Sequence, residues 1–379
     1  MAQKKSELEM TKKIPELKSI VESANTKVSL WTKLNTRLSL KEKLLFTKYL
    51  AILLRSGMAI DEAVEVLSKQ SKGVLKKILG ILQTYIKLGD TLATGLKQFP
   101  QVFDSVFVSL IEVGEASGTL KENLEHLAVQ MEKEKELRQK IISAALYPSI
   151  VIVSALSIAL GIVVFVLPNI LGIFESMKIE IPLSTKILLW VTGLIMNHGK
   201  EMVLGIIVLI ITFSFLKKVS FIKPIFHKII LLFPIVGPLA KKLSLARISR
   251  VLSLLLESGV PIDTAIDIST SVVKNVHYKK LCFKIKESVA QGSTIAAALK
   301  DSPSLIPIMA QHMIDVGEQT GTLDEMLEYL SDFYEKEIDE ITKNLALTLE
   351  PLLLLFIGGL VGGIVLSILT PIYEVVGSF

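Results

Sequence analysis

Apolar residues recur along most of the chain at spacings of three and four. Leu120, Leu124, Leu127 and Met131 form one series; Leu323, Leu327, Leu330 and Phe333 or Tyr334 form another. This is the period of an α-helix that buries one face. No alternating pattern of useful length breaks the series, so no sheet is expected. Ser39 precedes Glu42, Thr119 precedes Glu122 and Thr322 precedes Glu325, each at the capping-box spacing that satisfies free N–H groups at a helix start. Gly57 and Gly259 fall where helices should end, and Pro261 where the next should begin.

Three stretches lose the polar face altogether. Ile150–Leu167 is 18 residues without a charge, and residues 141–149 before it are also uncharged. Leu345–Ile372 is 28 residues with one charge, Glu350. Met202–Leu216 is shorter, at 15 residues, than the ~20 that a span normally takes. It reaches that length by continuing to Ile222 through Lys217 and Lys218, whose stems can snorkel. The apolar ten-mer Ile187–Met196 is cut off by Asn197-His198-Gly199-Lys200-Glu201 and reads as a separate interfacial or extracytoplasmic helix. Three spans are expected, at 141–167, 202–222 and 345–372.

Basic residues set the orientation. Lys133, Lys135, Arg138 and Lys140 precede the first span, and Lys217, Lys218, Lys223, Lys228, Lys241 and Lys242 lie at the end of the second or after it. Between these two spans stand only Lys178, Lys186 and Lys200. The expected order is a Lys/Glu-rich segment (1–38) with no signal-peptide character and a cytoplasmic helical domain (39–140). After the first span come an extracytoplasmic loop with a short helix (168–201) and the second span. A cytoplasmic linker with a second helical domain (223–343), the third span and an outside tail (373–379) complete it.

The chain repeats itself. Val113-Gly114-Glu115-Ala116-Ser117-Gly118-Thr119-Leu120 returns 203 residues later as Val316-Gly317-Glu318-Gln319-Thr320-Gly321-Thr322-Leu323. The same offset pairs Gly89 with Gly292, Pro100 with Pro303 and Pro148 with Pro351, which makes the first and last spans equivalents. Two copies that both run from cytoplasm outward require one extra crossing between them, which accounts for the unpaired middle span. The fold class is therefore all-α: a polytopic membrane protein with two tandem homologous cytoplasmic helical bundles and three transmembrane helices.

Composition fits this reading. Half of the 379 residues are apolar, 21% are charged and the mean hydropathy is +0.54, too greasy for an ordinary soluble chain and too charged for one wholly in lipid. A net charge of +5 spread over 41.7 kDa does not predict nucleic-acid binding, and the single Cys282 excludes a disulfide framework or cysteine-built metal site. Catalytic patterns are missing. Gly193 followed by Gly199-Lys200-Glu201 has one residue too many for a phosphate loop and Glu where Ser or Thr should hold magnesium. His126, His198, His227, His277 and His312 never pair at zincin spacing, and no Gly-x-Ser-x-Gly turn occurs. The chain is read as non-enzymatic, without a cofactor or metal.

Three features remain as candidate sites. The repeated corner reads first as structure: Gly118 and Gly321 give a permissive backbone, Thr119 and Thr322 cap the next helix, and Glu115 and Glu318 accept from nearby helix N-termini. Gly114 and Gly317 belong to the same motif. The alternative makes the two glutamates part of a contact with a cytoplasmic partner. Gly358, Gly359, Gly362 and Gly363 form two overlapping Gly-xxx-Gly pairs in the last span, a surface on which a second helix can approach closely. Glu350 stands at the cytoplasmic edge of that span, where copy 1 has Tyr147. It either anchors in the headgroups, with Lys343 nearby, or holds a cationic group such as the amino terminus of a docked helix. The helix Thr322–Lys343 carries eight acidic residues against two lysines, while Thr119–Lys140 has five of each sign. That excess is a solvated face or a dock for a basic surface or cation.

With the paired corners, the paired Ser-Gly-x-x-Ile-Asp motifs (56–61 and 258–263) and three spans, the chain resembles the inner-membrane platform proteins of type II secretion systems and type IV pili, the secretion "F" family. The resemblance covers about residues 40 to 375, and Ile181-Pro182-Leu183-Ser184-Thr185 fits the loop found there after the first span. It implies a scaffold without catalysis that couples a cytoplasmic hexameric assembly ATPase to pilin or pseudopilin helices. Other inner-membrane assembly proteins are implied as partners, and so is a homo-oligomer. A small transporter or channel, or a membrane adaptor, is the competing class; a transporter would want polar residues deep in its spans.

Overall fold

The computed structural model describes residues 38–166, 183–216, 222–233, 236–300 and 302–377. The N-terminal segment, the first half of the expected loop at 168–201, the far end of the middle span and the last two residues lie outside the described residues.

Among the described residues all regular structure is helical. Helices α1 (Leu40–Arg55), α2 (Ile60–Gln70), α3 (Gly73–Lys87), α4 (Leu92–Lys97), α5 (Ser105–Ser117) and α6 (Leu120–Gly161) form the first copy. After α7 (Leu183–Leu216) and α8 (Ile222–Leu232), the same series returns. It consists of α9 (Val236–Glu257), α10 (Ile262–Val272), α11 (Val276–Ala290), α12 (Ile295–Leu299), α13 (Ile308–Thr320) and α14 (Leu323–Gly377).

The expected capping box at Ser39 is present: Glu42 N–H donates to Ser39 Oγ (3.2 Å) and Ser39 N–H donates to Glu42 Oε2 (3.0 Å). The Ser39 hydroxyl, which donates to the same Oε2 at 2.6 Å, and then the Ser39 N–H hold the Glu42 carboxyl below its ordinary range. Gly57 and Gly259 follow the ends of α1 and α9 as expected, and Pro261 is the N-cap residue of α10.

Copy 1 buries Phe103 and Phe107 on and before α5, with Phe46 edge-on to Phe103 at 6.0 Å. Copy 2 has Ile306 and Ala310 at the equivalent places, both buried. Its aromatic volume sits instead at Tyr278 and Tyr334, where copy 1 has Leu75 and Met131. The Tyr278 hydroxyl donates to the Leu305 carbonyl at 2.7 Å, which is what lets a phenol be buried.

The chain divides into two compact units, and neither copy forms one alone. The first unit takes residues 1–137 and 241–335, thus the short helices of both copies with the N-terminal parts of α6 and α14. Within it Lys133 Nζ meets Asp332 Oδ1 at 3.0 Å, Arg247 meets Glu134 at 3.4 Å, and the hydroxyls of Ser105 and Ser271 are 2.7 Å apart.

The second unit takes residues 138–240 and 336–379. It holds the C-terminal parts of α6 and α14, joined by Lys140 Nζ to Asp339 Oδ2 at 2.7 Å. Two described helical stretches, Leu120–Val166 and Leu323–Ser367, are long and apolar enough to cross a membrane. Their apolar parts expose Ile150, Val153 and Ile158, and Leu352, Leu354 and Leu355, as a lipid-facing surface would. Among the described residues, α8 and α9 pass the same test of length and composition only when taken together as one broken helix.

The helix expected at 187–196 lies in the first arm of α7, which is two helical arms joined at a kink where His198 has non-helical angles (φ −123°, ψ 19°). The polar run at 197–201 has poor helix formers but no proline, so it kinks the helix without ending it.

Candidate functional site

Both corners are built in the same way. The peptide N–H groups of Leu92 and Ala93 donate to Glu115 Oε1 (2.6 Å) and Oε2 (2.9 Å). In copy 2, Ile295 and Ala296 donate to Glu318 Oε1 (2.6 Å) and Oε2 (2.8 Å). Each carboxylate therefore spans the first two N–H groups of a short helix, α4 or α12, groups that no residue inside the helix can satisfy. Each oxygen takes one peptide N–H, and both glutamates are half-buried.

The remaining motif residues each have a geometric task. A Cβ on Gly114 would lie 2.8 Å from Leu120 Cα, and one on Gly317 would lie 2.9 Å from Leu323 Cα, so α5 and α13 approach the next helix through a bare backbone. Gly118 (φ 77°) and Gly321 (φ 75°) end those helices in the left-handed conformation. The hydroxyls of Ser117 and Thr119 are 2.7 Å apart, as are those of Thr320 and Thr322.

The acidic helix is partly used within the chain. Asp332 binds Lys133 and Arg250, Asp339 binds Lys140, and Glu335 binds Arg250. Burial raises the Glu335 carboxyl, and the Arg250 guanidinium beside it acts in the opposite direction. Copy 1 has the counterpart of this last pair in Lys48–Glu132 at 2.6 Å, where the lysine holds the Glu132 carboxyl below its ordinary range. A legible signal for the seam between copies existed: Lys133 and Lys140, like Asp332 and Asp339, are seven residues apart. On parallel helices such pairs meet on one face.

Glu350 stands on α14 with its side chain exposed. A Cβ added at Gly358, Gly359, Gly362 or Gly363 would meet nothing within 4 Å, so this stripe is not packed against another helix of the described chain. A cleft of about 380 Å³ in the first unit is lined by His126, Lys133, Arg250, Glu257 and Asp332, with His126 Nδ1 at 3.3 Å from Glu257. Among the described residues no group of three or more His, Cys, Asp and Glu is placed to hold a metal ion.

The duplicated architecture has a match among known families. The family model of type II secretion system (T2SS), protein F matches twice, over residues 46–168 and 248–371. The chain belongs to this family. Each match runs from the first helix of a copy through its corner and into its apolar helix, so the family unit and the repeat coincide.

Curated relatives include both branches named above. A "Type IV pilus assembly protein PilC" of Thermus thermophilus is 32% identical over 340 residues, 89% of this chain and 84% of that protein. The PilC of Myxococcus xanthus is 30% identical, covering 89% of this chain and 81% of its own. A "Type II secretion system protein F" of Vibrio cholerae is 32% identical, with 87% and 81% covered.

Proposed function

We propose that the chain is the inner-membrane platform of a type IV pilus or type II secretion apparatus, acting without catalysis. The observation that carries this is the double family match, in register with two copies that share the Glu115 and Glu318 corners. The two helical bundles at 39–140 and 223–343 face the cytoplasm and receive a hexameric assembly ATPase. Residues 168–201 and the tail 373–379 face outward. The positive-inside distribution of lysines supports this orientation. Pilin or pseudopilin helices, or the last span of a second copy, lie against the glycine stripe of α14, which no other described helix covers. Glu350, uncharged in the equivalent position of copy 1, receives a cationic group of the pilin.

The test is co-purification of the full chain from detergent with the assembly ATPase and the prepilin of the same cells. Recovery of both is expected. Recovery of neither, with a transport substrate accumulated in vesicles instead, would replace the platform by a transporter.

A further inference from the structure

Helix α8 has no residue buried in the chain, although its sequence, IKPIFHKIILL, is mostly apolar. Ile225, Ile229 and Leu232 are exposed, Ile229 at 56% and Leu232 at 73%, and Phe233 after them at 53%. At 3.6 residues per turn these four fall within an arc of about 100°. The half-exposed Phe226 and Ile230 widen the apolar face on one side, and Ile222 lies within it. Lys228 stands at one edge of that face and Lys223 at the other, both exposed.

Such a face needs a cover, and three facts narrow what it is. Eleven residues of helix rise about 16 Å, roughly half of a hydrocarbon core, so α8 cannot cross alone. It cannot cross jointly with α9 either. That helix carries Lys241, Lys242, Arg247 and Arg250, and its arginines pair with Glu134, Ser331 and Asp332 of the first unit, charges that a hydrocarbon core would not take. Finally, only residues 217–221 separate α8 from the end of α7, a tether of at most about 20 Å from a helix read as a span.

We infer that α8 lies in the plane of the bilayer surface at the C-terminal end of α7. Ile225, Ile229, Leu232 and Phe233 enter the acyl boundary, and Lys223 and Lys228 reach the phosphates of anionic lipids. The inference rests on the chain being a membrane protein and not on which apparatus it serves.

The test uses the full chain with Cys282→Ala, reconstituted in vesicles of phosphatidylcholine with phosphatidylglycerol. An environment-sensitive fluorophore is attached in turn to Ile225→Cys, Ile229→Cys, Leu232→Cys and His227→Cys. Lipids brominated near the headgroup end of the acyl chain should quench the first three labels and leave the label at 227 bright. Quenching at 225 and 229 should weaken in phosphatidylcholine alone, and Lys223→Gln/Lys228→Gln should abolish that lipid dependence. Equal quenching around the helix would mean full immersion and overturn the inference. Labels at 225 and 229 shielded from both brominated lipid and aqueous iodide would mean that a protein covers the face, and would overturn it too.

Discussion

Glu115 and Glu318 make the same two hydrogen bonds, each carboxylate accepting the first two N–H groups of the short helix 22 and 23 residues before it. A bidentate, partly buried acceptor of this kind does work that a surface glutamate does not. It fixes the start of α4 or α12 against the helix that precedes the long one. The motif is therefore a brace, repeated because the fold is repeated.

Removing the brace should cost stability in the copy concerned. Glu115→Ala and Glu318→Ala should each lower unfolding free energy by about 1–3 kcal/mol, since two peptide donors lose a charged acceptor. Glu115→Gln, which keeps one acceptor oxygen, should cost less. Chemical denaturation of the detergent-solubilised full chain measures both; unchanged melting with lost ATPase binding would instead assign the glutamates to a partner contact.

The two glycines of the corner should fail differently. Gly114→Ala forces a Cβ against the Leu120 backbone, so the helices must separate, at about 1–3 kcal/mol. Gly118→Ala meets no atom but must hold φ near 77°, for about 1 kcal/mol. Gly118→Asn should recover part of the second loss, whereas Gly114→Ser should recover none of the first.

The equivalent pairs Lys48–Glu132 and Arg250–Glu335 should respond oppositely to acid. The Glu132 carboxyl is lowered on folding, so its contribution is present above an unfolded value of about 4.3 and is lost as pH falls through the lower folded value. The Glu335 carboxyl is raised by burial, so its contribution runs the other way. Its ionisation costs stability as pH rises from about 4.3 through the folded value. Melting curves of Glu132→Gln and Glu335→Gln against pH, each subtracted from the parent, should slope in opposite directions.

Topology can be read by cysteine labelling in intact cells. Cys282 is buried and burial pushes its thiol up to about 12, so its background should be slow even before replacement. Cysteines at Asp90 and Gly292 should resist an impermeant maleimide and react after lysis. Labelling of either in intact cells would reverse the proposed orientation.

Leucines at Gly359 and Gly363 should leave the chain folded, because an added Cβ there meets nothing within 4 Å and the side chain points away from the described helices. Cross-linking between copies or to pilin should fall, with pilus assembly or secretion falling alongside. Normal assembly in Gly359→Leu/Gly363→Leu at parental protein level would leave the stripe without a partner. Glu350→Gln, compared in the same assay, separates a charge requirement from an interfacial anchor.

Much of this architecture could be read along the chain, because its causes are local. Helical period, capping spacing at Ser39 and Glu42, apolar run length and a corner repeated 203 residues on all depend on residues within a few turns of each other. That Glu115 accepts from a helix N-terminus could be anticipated from its place in the corner; that the helix is α4, 22 and 23 residues back, could not. What needed the folded chain was distance between residues remote in sequence. The eight acidic residues of 322–343 read as a solvated face or a dock for a basic surface or cation; in the folded chain Asp332 and Asp339 meet Lys133 and Lys140, 199 positions away. Aromatic volume moved from Phe103 and Phe107 in one copy to Tyr278 and Tyr334 in the other, a trade that only shared core space can define. A pattern of residues says which face of a helix is apolar; packing decides what that face meets, and for α8 it leaves the face open.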